Sequence, residues 1–125
     1  MKYQGSCHCG NVKFEAEGEI QQVMACNCSM CSRKGSLLWF IPRENFKLLS
    51  GAPKTYTFNK HFIKHRFCAN CGIHPYAEAA DRSGKPMAAI NARCLEGVDL
   101  SALPVKHLTR IMDRNCTHQI QRRNR

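Results

Sequence analysis

Between Asn11 and Glu17 the chain alternates strictly, with Val12, Phe14 and Ala16 on one face and Lys13, Glu15 and Glu17 on the other. A period of two predicts a half-buried strand, which Gly18 ends, and Ile20 to Ala25 is expected to pair back on it. Gly35 to Ile41 holds a continuous apolar run, Leu37-Leu38-Trp39-Phe40-Ile41. Its length suits a buried strand better than a helix, Pro42 closes it, and Trp39 and Phe40 are expected in the core. Arg43 to Leu49 fits neither period clearly, and Ser50-Gly51-Ala52-Pro53 reads as a turn. Lys54 to Asn59 and Phe62 to Phe67 predict two more strands. Ile73 to Ala79 is a further one, which Pro75 is expected to confine to a sheet edge or a bulge. Ser83-Gly84 marks a hairpin turn before a last short strand, Pro86 to Ala92. Leu95 to Leu103 reads as loop. No helix longer than two turns is expected, and no repeat appears beyond clustered cysteines. The fold class is mainly β.

Composition narrows this to a small single domain. A chain of 125 residues buries a modest core, so bound metal would add to folding stability. No apolar stretch approaches the roughly 20 residues of a membrane span. Met1 to Ser6 contains no hydrophobic run of the secretory type, so a cytoplasmic, reducing location is expected, without membrane association. The formal charge of +10 suggests an acidic partner at first sight. Seven metal-bound thiolates and two zinc ions would lower it to about +7. Arg114, Arg122, Arg123 and Arg125 crowd a polar C-terminal end, read as a solvated, poorly ordered basic tail. Few basic residues interleave with aromatics, which disfavours a nucleic-acid partner.

The cysteines carry the chemistry. Seven of nine fall in three clusters, Cys7-His8-Cys9, Cys26-Asn27-Cys28-Ser29-Met30-Cys31 and Cys68-Ala69-Asn70-Cys71. In a reducing compartment such spacing indicates metal rather than disulfides, and thiolates suit tetrahedral zinc. Cys68-Ala69-Asn70-Cys71-Gly72 has the form of a zinc knuckle, and Cys7-His8-Cys9-Gly10 has the same trailing glycine. Neither pair fills a tetrahedron alone, so Cys7, Cys9, Cys68 and Cys71 form the simplest closed structural site. A rival grouping, in which the middle cluster borrows Cys94 or Cys116, lacks support from spacing. Otherwise Cys94 reads as a small buried hydrophobe and Cys116 as an exposed tail thiol.

Cys26, Cys28 and Cys31 offer three ligands in one short segment, with a fourth position open to water or a substrate thiol. Three thiolates on Zn²⁺ leave a net negative unit, better suited to holding an incoming thiol as thiolate than to making hydroxide. Arg33 and Lys34 follow closely and are read equally as an anion-attracting pair or a solvated turn. His8, His65 and His74 adjoin the clusters. Each is a candidate ligand, acid–base group or supporting partner, weighed against simple packing or exposure.

Together, Gly5-Ser6-Cys7-His8-Cys9-Gly10, Cys26-Asn27-Cys28-Ser29-Met30-Cys31 and Phe67-Cys68-Ala69-Asn70-Cys71-Gly72-Ile73-His74-Pro75 resemble the glutathione-dependent formaldehyde-activating (centromere-protein-V/GFA) family. Phe46 to Gly51 and Ile90 to Leu95 are similar to that family as well. The resemblance implies a zinc-stapled β-tent of two packed antiparallel sheets over residues 1–115, with 116–125 as a tail. It also implies two zinc ions per chain: a structural one on Cys7, Cys9, Cys68 and Cys71, and a catalytic one on Cys26, Cys28 and Cys31. The implied activity is that of a carbon–sulfur lyase, joining a thiol such as glutathione to an aldehyde such as formaldehyde to give S-hydroxymethylglutathione. Arg33, Lys34, Arg66 and Arg93 are candidates for the substrate carboxylates. No side chain is singled out for the proton transfer, and self-association stays open. The main alternative is a non-catalytic zinc module engaging nucleic acid or an acidic partner. Two others are metals that only brace the fold and a methionine-sulfoxide chemistry using Cys94 or Cys116.

Overall fold

A computed structural model describes residues 1–26, 29–58 and 62–108. Among these residues the strands and the one α-helix are, in chain order, β1 (Lys2–Ser6), β2 (Lys13–Glu17), β3 (Val23–Cys26), α1 (Ser29–Lys34), β4 (Leu38–Pro42), β5 (Phe46–Ser50), β6 (Lys54–Tyr56), β7 (Lys64–Phe67), β8 (Tyr76–Ala80), β9 (Pro86–Asn91) and β10 (Val105–Leu108). Single 3₁₀ turns lie at Arg43–Asn45, Ala92–Cys94 and Leu100–Ala102. Two sheets result: β1-β2-β5, and β10-β3-β4-β9-β8-β7-β6. Every pairing is antiparallel except that of β10 with β3, which is parallel.

Alternation along each strand explains how the sheets pack. Phe14, Ala16 and Phe46 of the small sheet share one buried core with Val23, Trp39, Ile41, Tyr76, Ala88 and Ile90 of the large one. Phe46 sits at its centre, its ring 4.3 Å from that of Tyr76 and 5.5 Å from that of Phe14. The other face of the large sheet carries Met24, Leu38, Ala89, Ala77 and His65, since Met24 registers with Leu38 and His65 with Ala77 and then Ala89. Helix α1 lies over that outer face, where Met30 and Cys31 pack with Met24, Cys26, Leu38, Ile63 and Ala89.

The mainly β architecture and the short helix agree with the sequence reading, and several particulars differ. The segment before Cys26 does not pair back on β2; β3 joins the large sheet between β10 and β4. Its only deeply buried side chain is Val23, too little pattern to reveal a partner some 80 residues away. Strand β1 went unforeseen because Tyr3 is its one large apolar residue, and β10 because it follows a stretch that reads as loop. Pro75 does not force an edge. It is buried just before β8 begins, so its missing N–H falls outside the ladder, and β8 runs between β7 and β9. Trp39 is core, whereas Phe40 points to the outer face and stays 42% exposed.

Candidate metal centre

The four cysteines of the outer clusters converge. Cys7 directly follows β1, Cys68 directly follows β7, and their Sγ atoms with those of Cys9 and Cys71 all lie within 4.8 Å of one another. Cys9 Sγ is 3.7 Å from Cys7 Sγ and 3.6 Å from Cys68 Sγ. A tetrahedron with Zn–S of about 2.3 Å has S···S edges of about 3.8 Å, so the donor set fits zinc in both element and size. Cys7 and Cys68 are buried against Val12, with Leu48 and Cys71 alongside.

Each loop folds as a knuckle. Cys7 N–H donates to the Val12 carbonyl at 3.0 Å and Cys68 N–H to that of Ile73 at 2.9 Å, while Gly10 and Gly72 N–H return to the Cys7 and Cys68 carbonyls. Both glycines adopt positive φ, 82° and 80°, where a side chain would strain the turn. Backbone amides also point at sulfur: Val12 N–H lies 3.3 Å from Cys7 Sγ, and Asn70 N–H 3.4 Å from Cys68 Sγ. Burial pushes the Cys7 thiol up. The Asn70 side chain and then the Asn11 amide hold Cys9 below its ordinary value. The Ile73 amide, with that of Cys9, brings Cys71 down to about 6. Donors aimed at sulfur favour the thiolate, the form that binds metal.

The middle cluster is placed differently. Cys26 ends β3 and Cys31 lies in α1, and both join the small apolar cluster on the outer face. Cys28, like Cys116 and the whole of 116–125, lies outside the described residues. Among the described residues, Cys7, Cys9, Cys68 and Cys71 form the one group with metal-binding geometry. Cys94 is partly buried beside the main core, and burial pushes its thiol up to about 11.

The candidate cations divide. Arg33 and Lys34 occupy the last turn of α1. Arg93 donates to the Gly35 carbonyl at 3.0 Å, tying the end of that helix to the turn after β9. Arg66 bonds Glu78 at 2.8 Å and also contacts Thr55. Both therefore have structural work in the fold. His8 is exposed. His65 is 2% exposed, and among the described residues neither of its ring nitrogens has a hydrogen-bond partner; His74 Nδ1 is likewise buried and unpartnered among them. Burial, with Lys34 nearby, lowers both imidazoles to about 4. The sequence singled these two out only by their closeness to cysteines.

Known proteins place this arrangement. A crystal structure of a Rhodobacter sphaeroides protein superposes with a TM-score of 0.71 at 31% identity, covering 82% of this chain and 99% of that one. A Fusarium vanettenii protein, provisionally named a glutathione-dependent formaldehyde-activating enzyme, is 28% identical over 80 residues. That alignment takes in 60% of this chain and 43% of the fungal one, so the chain spans less than half the length of that relative. The family model for the glutathione-dependent formaldehyde-activating enzyme matches residues 2–121. Matched over nearly its whole length, the chain belongs to the glutathione-dependent formaldehyde-activating enzyme family.

Proposed function

We propose that the chain is a zinc-dependent carbon–sulfur lyase that adds a small thiol, glutathione or a close analogue, to formaldehyde or a related aldehyde. The observation that carries this reading is the separation of two cysteine groups. One is a closed four-sulfur set between the sheets' loops, and the other is marked by Cys26 at the end of β3 and Cys31 in α1, on the outer face. In this reading Cys7, Cys9, Cys68 and Cys71 hold a structural zinc, and Cys26, Cys28 and Cys31 hold a second one with a position left for substrate. Zinc at the second site would supply the charge that keeps an incoming thiol deprotonated at neutral pH.

The chain's own residues do the rest. Strand β3 and α1 fix the two ends of the three-cysteine segment, and Arg93 holds the far end of the helix through the Gly35 carbonyl. Arg33 and Lys34 place positive charge on the last turn, suited to an anionic thiol such as glutathione. Holding thiol and aldehyde together turns a bimolecular encounter into an effectively unimolecular step. The sulfur–carbon bond forms, the carbonyl π pair moves to oxygen, and the proton lost by the thiol ends on that oxygen.

The charge behind the nucleic-acid alternative is partly engaged within the fold, because Arg43 and Arg66 both pair with Glu78. Among the described residues no helix is long and apolar enough to cross a membrane. The deciding experiment counts zinc in the purified protein and follows exchange between glutathione and formaldehyde by two-dimensional NMR. Two zincs per chain and exchange well above the buffer rate are expected, with Cys28→Ser abolishing the excess while the far-UV spectrum is unchanged. A buffer-level rate in zinc-replete wild type overturns the reading.

A further inference from the structure

A buried imidazole with no partner on either nitrogen needs a reason. Leaving a buried polar group unsatisfied is costly, and in a native structure such a group calls for an explanation such as a catalytic role. Among the described residues His65 is buried to 2% exposure with both nitrogens unpartnered, and His74 adds a buried, unpartnered Nδ1. Other native polar side chains here are better served; Asn91 Nδ2, for example, donates to the His74 carbonyl at 3.1 Å.

The position of the pair is as informative as its state. Through the ladder His65 registers with Ala77, and Ala77 with Ala89, all on the outer face of the large sheet. Ala89 and Ile63, the latter two residues before His65, pack in the same cluster as Cys26 and Cys31. Aromatic rings fix the imidazoles: Phe58 stacks on His65 at 5.4 Å, and Phe67 on His74 at 5.4 Å. His65 therefore sits on the face that α1, Cys26 and Cys31 cover, and Phe67, two residues further along β7, brings His74 beside it.

We infer that His65 and His74 form the oxygen-recognition half of the substrate site, donating imidazole N–H to the carbonyl oxygen of a small aldehyde held beside Cys26 and Cys31. This rests on the lyase reading for the identity of the thiol, and on the unsatisfied nitrogens for the aldehyde. A neutral imidazole suits the role, since it keeps an N–H without bringing a competing charge. Both rings are held neutral at physiological pH by burial. In the reaction the oxygen gains negative character as the sulfur–carbon bond forms, so an N–H aimed at it stabilises the transition state more than the free aldehyde. The thiol's proton ends on that oxygen, and no oxidant or reductant is consumed.

Full-length, zinc-loaded protein with ¹⁵N-labelled histidine tests this. Millimolar glutathione is added first and formaldehyde second, and exchange rates are measured on the same samples. His65 and His74 ring nitrogens are expected to shift when formaldehyde joins glutathione, and to move little with glutathione alone. His65→Phe should lower the exchange rate roughly 100- to 1000-fold with an unchanged or higher Tm, because it deletes two unsatisfied atoms, and His65→Gln should restore part of the rate. His74→Phe gives a second, independent variant should the first fold poorly. Catalysis by wild type with unmoved imidazoles and fully active variants overturns the inference while the lyase reading stands. Shifted imidazoles without enhanced exchange uphold the inference and remove the lyase reading. Neither effect removes both.

Discussion

At the scale of single residues, burial and hydrogen bonding assign different duties to similar side chains. Cys68 is fully buried, and its sulfur faces the amides of Asn70 and Cys71 and lies 3.6 Å from Cys9 Sγ. Cys68→Ser should therefore remove one metal equivalent and cost more than about 4 kcal/mol, in the range of a lost structural metal ligand. Metal analysis with denaturant unfolding reads this, and a variant that keeps full zinc and an unshifted midpoint would refute the structural role. His65 titrates in the opposite sense from an ion-paired group. Its folded value is near 4, below the ordinary 6.5, so between those values the unfolded chain binds more protons. Its contribution is complete above pH 6.5 and is lost as pH falls toward 4, by about 3 kcal/mol from this site. Unfolding midpoints at pH 7 and pH 4.5 should show an acid loss that His65→Phe reduces; equal losses in both proteins would contradict it.

At the scale of elements, a few side chains decide how strands and turns meet. Glu78 on β8 receives Arg66 from β7 and Arg43 from the turn before β5, and the Arg43 guanidinium lies over the Phe46 ring at 4.9 Å. Burial pushes the Glu78 carboxyl up, but the two guanidiniums outweigh it and hold it below its ordinary value. Glu78→Gln should cost about 1–3 kcal/mol, because it leaves two cations facing a neutral amide; an unchanged unfolding midpoint would show the triad to be inert. Phe14→Ala removes a fully buried ring from the seam between the sheets and should cost about 3–5 kcal/mol. The sequence made such elements legible where one face was apolar. Val12-Phe14-Ala16 disclosed β2, and the run ending at Pro42 disclosed β4. Where partnership depends on a distant segment the local pattern is silent, as with β3, whose neighbour β10 is parallel and close to the end of the described chain. The Cys7, Cys9, Cys68 and Cys71 group was readable because knuckle spacing is local, whereas the empty nitrogens of His65 exist only once the sheet has formed.

At the scale of the whole molecule, the four-sulfur group joins the two sheets by a route that their shared core does not supply. Cys7 and Cys9 belong to the turn between β1 and β2 of the small sheet, and Cys68 and Cys71 to the loop between β7 and β8 of the large one. Cys9 and Cys68 are 59 residues apart in sequence. Closing a loop of that length by a crosslink is worth about 4 kcal/mol through lost freedom of the unfolded chain, a large share of the stability of a domain this size. The small sheet has three short strands, and its buried side chains come chiefly from β2 and β5. Its first hairpin should thus depend on metal more than the centre of the large sheet does. Stripping the protein with a strong chelator should erase amide-exchange protection over residues 2–17 first, while β4, β8 and β9, paired on both sides, keep theirs longer. Readdition of zinc should restore the hairpin, and Cys9→Ser should reproduce the chelated pattern without chelator. Uniform loss across both sheets would instead mean that the metal supports the common core rather than acting as a staple. Unaltered protection everywhere would mean that packing of Phe14, Phe46 and Tyr76 alone holds the small sheet in place.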